Sequence, residues 1–145
     1  MKWRIFTVGK PALPHAKAGC SEYLARIARH AGIESVSVKA SDPAREGAAL
    51  LAKSEGCFRV VLDERGTQLT SRRLAGAVQN WQRAARPVAV ILGGASGHDE
   101  PLLKNADFLW SLSPLTLQHE LALVVALEQI YRAHTILAGH PYHRD

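Results

Sequence analysis

Three stretches in the second half of the chain carry residues able to do chemistry. Gly93, Gly94 and Gly97 follow directly on the apolar run from Val88 to Leu92. Glycines there let backbone approach a ligand that side chains would hold off, and main-chain groups can then cradle a cofactor. The spacing is neither the GxGxxG of dinucleotide sites nor a phosphate loop closed by Lys and Ser or Thr, which disfavours a dinucleotide or a nucleoside triphosphate. A tight strand-to-helix turn with positive φ explains the same glycines equally well. Leu112-Ser113-Pro114-Leu115-Thr116-Leu117 is apolar where loops are ordinarily polar. Such a loop needs a cover: a neighbouring subunit, or a flat apolar ligand such as an adenine ring whose edge the loop amides and carbonyls read. The third stretch is Glu128 with Arg132 one helical turn onward, followed by Tyr142-His143-Arg144. The pair fits a salt bridge, ordinarily a feature of a solvated helix face. The last three offer an aromatic face, an imidazole that titrates near neutrality and a guanidinium for phosphate or carbonyl oxygens. Taken alone, they are by default an ordinary frayed tail.

The elements that must position these residues alternate between strand and helix, the pattern of an α/β fold with a mainly parallel sheet. Trp3 to Val8 reads as a strand, Ser21 to His30 as a helix on the spacing of Tyr23, Leu24 and Ile27, and Ile33 to Val38 as a second strand. Asp42-Pro43 starts a helix that runs to about Ser54, because Asp accepts from first-turn amides and Pro fits the first helical position. Phe58 to Asp63 is a third strand, closed by a loop at Gly66. Thr70 or Ser71 caps a helix carrying Leu74, Val78 and Trp81, which Pro87 ends. Val88 to Leu92 is apolar throughout, as expected of a central strand covered on both faces. Asp107 to Leu112 is a last strand, and a helix from about His119 to Leu137 follows the apolar loop.

Size and composition set the bounds. A chain of 145 residues with 47% hydrophobic residues is read as one domain, residues 1–145, able to bury a core. No run is long and apolar enough for a membrane span, and the opening residues read as a strand and not as a secretory leader, so a cytoplasmic protein is expected. Cys20 and Cys57 stand far apart without metal-ligand spacing, which predicts two ordinary thiols and no metal. The net charge of +5 suits a polyanionic partner, although general solubility explains it as well.

Taken together, Leu92-Gly93-Gly94, Trp110-Ser111-Leu112-Ser113-Pro114-Leu115-Thr116-Leu117, His119, Glu128-Gln129-Ile130-Tyr131-Arg132-Ala133 and His140-Pro141-Tyr142-His143-Arg144 resemble the ribosomal RNA large subunit methyltransferase H family. The resemblance spans the chain and is strongest from Val88 to Arg144. It implies the SPOUT methyltransferase fold, a mainly parallel sheet flanked by helices with a C-terminal trefoil knot. It also implies a homodimer that methylates N3 of a pseudouridine in the helix-69 loop of 23S ribosomal RNA within the assembled ribosome. The alternatives are a SPOUT enzyme acting on another RNA, such as a transfer RNA, and a ribosome-binding protein without catalysis.

By the same resemblance Leu62, Gly93 and Leu112, Ser113, Pro114, Leu115, Thr116 and Leu117 hold S-adenosylmethionine. His119, Glu128 and Arg132 border the catalytic region. Tyr142, His143 and Arg144 face the target nucleotide across the dimer interface. Methyl transfer to an imide nitrogen needs that nitrogen deprotonated. The expectation is that His143, or a water in its place, assists, that Arg132 or Arg144 stabilises charge spreading onto the flanking carbonyls, and that Tyr142 stacks on the displaced base. Two positions depart from the family pattern: Ala95-Ser96 in the glycine loop, and Leu123 where several relatives carry Arg.

Overall fold

The computed structural model describes residues 2–145; Met1, with which the sequence opens, lies outside the described residues. Five strands form one parallel sheet in the order β2-β1-β4-β3-β5. They are β1 (Lys2–Val8), β2 (Gly32–Val38), β3 (Phe58–Gln68), β4 (Val88–Ile91) and β5 (Phe108–Ser111). The helices are α1 (Pro14–Ile27), α2 (Pro43–Lys53), α3 (Ser71–Gln82), α4 (Glu100–Lys104) and α5 (His119–Leu137). Every residue of β4 is buried, as its unbroken apolar run requires of a strand covered on both faces. In register, Trp3 and Phe58 flank Val88, while Phe6 and Val61 flank Ile91. Strand alternation then divides the core. Trp3, Ile5, Val60, Val88 and Val90 pack under α1, α3 and α5, whereas Phe6, Val61, Ala89 and Ile91 pack under α2 and α4.

The strand order and helix faces obey one handedness. The two crossovers that step one way, β1 to β2 and β3 to β4, carry their helices on the first face; the two that step back carry α2 and α4 on the other. Strand twist demands this consistency.

Two boundaries and one short helix depart most from the sequence expectation. The first helix begins at Pro14 and not at Ser21. Leu13 is extended, Pro14 supplies the first-turn geometry, and the Glu120 carboxylate accepts from the amides of Ala12 and Leu13 at 2.6 and 3.0 Å. The early turns of α1 carry small residues because α5 runs close: a Cβ on Gly19 would lie 2.9 Å from a Val124 methyl. The third strand does not stop at Asp63. It makes a four-residue excursion, Asp63 to Gly66, so that Leu62 and Thr67 both pair with Trp110. Gly66 is therefore part of a strand and not a closing loop. A Cβ there would stand 2.6 Å from the Leu109 carbonyl, a contact that only glycine avoids. The short α4 carries no detectable period, but its start is chemically clear, with Asp99 accepting from the Leu102 amide at 3.3 Å.

Beneath α5, His134 lies buried with Nδ1 donating to the Ile130 carbonyl at 2.9 Å and Nε2 accepting from Gln82 at 3.3 Å. Burial holds its pKa below the usual histidine value, with His30 adding in the same direction and the Ile130 bond opposing. The unfolded chain therefore takes up this proton more readily than the native state. Its contribution to stability is complete above about pH 6.5, the unperturbed value, and declines as pH falls from there toward the folded pKa. A urea midpoint that drops between pH 7 and pH 5, and drops less in His134→Gln, is the expected outcome.

Candidate active site

A cleft of about 400 Å³ opens at the carboxyl ends of β3, β4 and β5, the edge at which parallel α/β sheets hold ligands. Leu62 and the start of the β3 excursion make one side, the segment from Leu92 to His98 a second, and the loop from Ser111 to Leu117 the third, with His119 of α5 at the mouth. The elements explain the convergence. β3 and β4 are neighbours in the sheet, and β5 on the far side of β3 launches the apolar loop over their ends. Ser113 shapes that loop: its hydroxyl accepts from the Leu115 amide at 2.9 Å, and its carbonyl accepts from the Ser111 hydroxyl at 3.3 Å. The cleft thus gathers Leu62, Gly93, Leu112, Ser113, Leu115, Thr116, Leu117 and His119. Pro114 stands in the same loop, exposed, and is not part of the lining. Leu115 stands 73% exposed on the cleft wall.

Sequence reasoning missed His98, Asp63 and Glu64 among the cleft walls. The His98 ring lies over Gly93, where an added Cβ would stand 3.2 Å from it, and its Nε2 is buried without a hydrogen-bond partner. Burial depresses the pKa of His98 against the opposing pull of Asp63, the Leu62 backbone and Asp99. Burial would raise the Asp63 carboxyl, but hydrogen bonds from Arg65 outweigh it and hold the pKa below the ordinary value. A neutral imidazole beside a well-ionised carboxylate, between apolar walls, suits a ligand with a flat apolar part and positive charge. A lone histidine in a strand-end glycine loop was the only sequence signal for His98.

The second predicted group assembles elsewhere. On α5, Arg132 bridges Glu128 at 2.6 Å, and the Tyr142 hydroxyl donates to the same carboxylate at 2.7 Å. The Tyr142 ring packs edge-on to Tyr131 and beneath the Arg132 guanidinium, 4.8 Å from its centroid. Arg132 Nη1 donates to His143 Nδ1 at 3.1 Å. His143 Nε2 meets Asp145 at 2.9 Å, and Arg72 of α3 grips Asp145 through two bonds of 2.8 and 2.6 Å. Arg144 is exposed. Both default readings of this region are therefore corrected. The tail is docked and not frayed, because polar and aromatic contacts replace the solvent it would otherwise meet. The Glu128–Arg132 pair is also largely buried, at 18% and 23% exposure, and is not a solvated face. Burial raises the Glu128 carboxyl, yet the bonds from Arg132 and Tyr142 outweigh it and keep the group ionised. Burial and the Glu128 contact push the Tyr142 phenol well up, so it stays a donor.

The two groups do not meet within one chain. From His119 at the cleft to Arg132 is thirteen residues of α5, roughly 20 Å at 1.5 Å per residue. No helix among the described residues is long and apolar enough to cross a membrane.

Comparisons with known proteins agree with this geometry. Residues 1–143 match the family described as Predicted SPOUT methyltransferase. A ribosomal RNA large subunit methyltransferase H of Thermus thermophilus is 49% identical over 144 residues, covering 99% of both chains. The protein of the same name from Thiobacillus denitrificans is 41% identical over 156 aligned positions, covering all of both. Among solved structures, a probable methyltransferase from Bordetella pertussis superposes with a TM-score of 0.60 at 17% identity, over 92% of this chain and 93% of that one. A probable methylase family protein from Haemophilus influenzae gives 0.61 at 11%, over 99% and 70%. The parallel α/β sheet, its strand-end cleft and full-length sequence identity place the chain in the SPOUT methyltransferases, as a member of the ribosomal RNA large subunit methyltransferase H family.

Proposed function

We propose that this protein methylates N3 of a pseudouridine in the helix-69 loop of 23S ribosomal RNA, on the assembled ribosome in the cytoplasm, with S-adenosylmethionine as methyl donor. It acts as a homodimer of single-domain chains, residues 1–145, each carrying the C-terminal trefoil knot. The observation that carries this reading is the separation of two half-sites along α5. A symmetric pair is the simplest arrangement that sets the cleft of one protomer against the tail of the other. The exposed Leu115 and Leu121 beside the cleft mouth supply apolar surface for such a contact. For the knot, the support is that the loop closing the cleft leads into a helix lying back across α1 and α3.

The cleft residues fit the cofactor. Leu62, Leu112, Leu115 and Leu117 supply apolar walls that suit an adenine ring, Gly93 leaves room for close approach, and Asp63, bridged by Arg65, and Glu64 add negative charge that suits a cation. When bound, S-adenosylmethionine supplies an electrophilic methyl on a positively charged sulfur with a good leaving group, so no metal is needed. The tail residues then have three tasks: Tyr142 stacks on the extruded base, Arg132 and Arg144 attract its carbonyl oxygens and the neighbouring phosphate, and His143 takes the imide proton. Glu128 holds Arg132 and Tyr142 in place. The +5 net charge favours approach to RNA and predicts salt-sensitive binding.

Gly93→Val puts branched carbons against the His98 ring and into the cleft. It is expected to weaken S-adenosylhomocysteine binding by about a hundredfold, measured by calorimetry, with an unchanged far-ultraviolet spectrum. The whole reading is tested by transfer of labelled methyl to ribosomes lacking the modification, with free 23S RNA and transfer RNA in parallel and mass spectrometry locating the label. Label on the helix-69 pseudouridine of ribosomes alone is the expected result. Label on another RNA overturns the substrate, and none anywhere returns the chain to a binding role.

A further inference from the structure

Asp145 has no part in the roles assigned so far, yet it links His143 to Arg72 in the tail's hydrogen-bond chain. His143 is held at both ring nitrogens, and its two partners differ in kind. Arg132 can only donate, so it favours the lone pair on Nδ1, the nitrogen facing it, but it turns to the base when the base enters and cannot hold the tautomer alone. Asp145 is an acceptor, so Nε2 carries the proton and donates to it. Only one neutral tautomer satisfies both neighbours. The geometry points to Asp145, gripped by Arg72, as a positioning residue that fixes His143 in the tautomer with its lone pair on Nδ1 beside the Arg132 guanidinium. The inference rests on the reading of the tail as the target-nucleotide side.

The arrangement suits one chemistry in particular. Arg132 Nη1 and His143 Nδ1 present a donor and an acceptor side by side, 3.1 Å apart. A uracil-type imide presents the complement, an N–H next to a carbonyl. As the base enters, its carbonyl oxygen takes the guanidinium N–H and its N3–H points at the freed Nδ1. The proton moves to Nδ1, which leaves on N3 the electron pair that the methyl of a bound sulfonium donor would take, the sulfur keeping the pair of the bond it loses. His143 becomes an imidazolium whose Nε2–H still faces the Asp145 carboxylate, so the charge it gains is balanced. The other tautomer offers Arg132 an N–H and has no lone pair for the imide. A cytosine ring has no proton on N3 for Nδ1 to take, so it can be held by the pair but not activated by it.

The exposure of the Arg72–Asp145 bridge, 61% and 67%, matters here. A pair so open to water adds little to stability, and so its two short parallel bonds act on geometry. Its hydrogen bonds from Arg72, then from His143, hold the Asp145 carboxyl down to about 2, keeping it an acceptor at every working pH.

The test uses the full-length protein labelled with ¹⁵N-histidine. In the wild type, His143 should show a bare Nδ1 and a protonated Nε2. Asp145→Ala should mix the two tautomers, slow single-turnover transfer by about tenfold to a hundredfold, a part of what a general base contributes, and leave S-adenosylhomocysteine affinity unchanged. Asp145→Glu should restore both the tautomer and most of the rate, and Arg72→Ala should give a smaller loss than Asp145→Ala. An unmixed tautomer in Asp145→Ala, or a wild-type rate, overturns the inference. Failure of the underlying reading shows separately, as a wild-type rate in His143→Ala.

Discussion

Replacing Arg132 by alanine is expected to slow methyl transfer by about a thousandfold, the worth of a donor aimed at developing charge, while S-adenosylhomocysteine binding stays intact. The guanidinium has three simultaneous contacts, to Glu128, to the face of Tyr142 and to His143, so its loss disperses the tail as well as removing a cation. The cleft is some thirteen residues of helix away and has no reason to notice. The same separation gives a sharper experiment. With cofactor well below the weakened Kd, a chain with a blocked cleft, Gly93→Val, and a chain with a broken tail, Arg132→Ala, each retain about one per cent of wild-type activity or less. If the working site combines one protomer's cleft with its partner's tail, a co-refolded equimolar mixture recovers about a quarter of wild-type activity, because half the dimers are mixed and each has one intact site. No recovery means that cleft and tail belong to the same chain, and the composite site is lost.

The second large effect concerns the fold. Gly66→Ala should lower stability by about 3 kcal/mol, since a methyl group at 2.6 Å from the Leu109 carbonyl forces two paired strands apart. For a chain of 145 residues this corresponds to a fall in Tm of roughly 10 °C. The disturbance falls on the pairing that delivers Leu62 and Asp63 to the cleft, so cofactor affinity should fall with it. Gly76→Ala provides the contrast: it lies exposed in α3 with nothing within 4 Å of an added methyl. Helix propensity then predicts a gain of about 0.5–1 kcal/mol. Paired thermal melts of the two variants distinguish a glycine required by space from one that is not; equal melting temperatures would refute the packing argument.

Much of this molecule was legible before any coordinate, for identifiable reasons. The apolar run Val88 to Leu92 announced a central strand because both its faces are covered. Asp42-Pro43 and Thr70 marked helix starts because each capping side chain accepts from an amide three residues on, at Arg45 and Arg73. The cleft walls were legible as an apolar loop and a glycine loop, although their meeting depends on β3 lying between β4 and β5, which no local pattern encodes. What stayed hidden was set by long-range contacts or by very short elements. The Asp63-Glu64-Arg65-Gly66 stretch has turn-like composition, and only pairing with β5 makes it an excursion within a strand. The start of α1 is apolar on one narrow side because α5 passes close to Gly19, so its hydrophobic period is faint. The tail's order depends on Asp145 meeting Arg72, seventy-three residues earlier, and on Tyr142 reaching back to Glu128.

The length of α5 has a consequence of its own. Its first turn borders the cofactor cleft and its later turns carry Glu128 and Arg132, so the helix works as a spacer with a phase as well as a span. Adding or removing one residue between His119 and Glu128 would shift the far group by about 1.5 Å and swing it by about 100° around the axis. The tail would then aim at another neighbour altogether. The exposed side chains along that stretch are open to exchange, but the count of residues is not. Drift in this family should therefore run through substitution in α5, with insertions and deletions confined to the loops and strands before it.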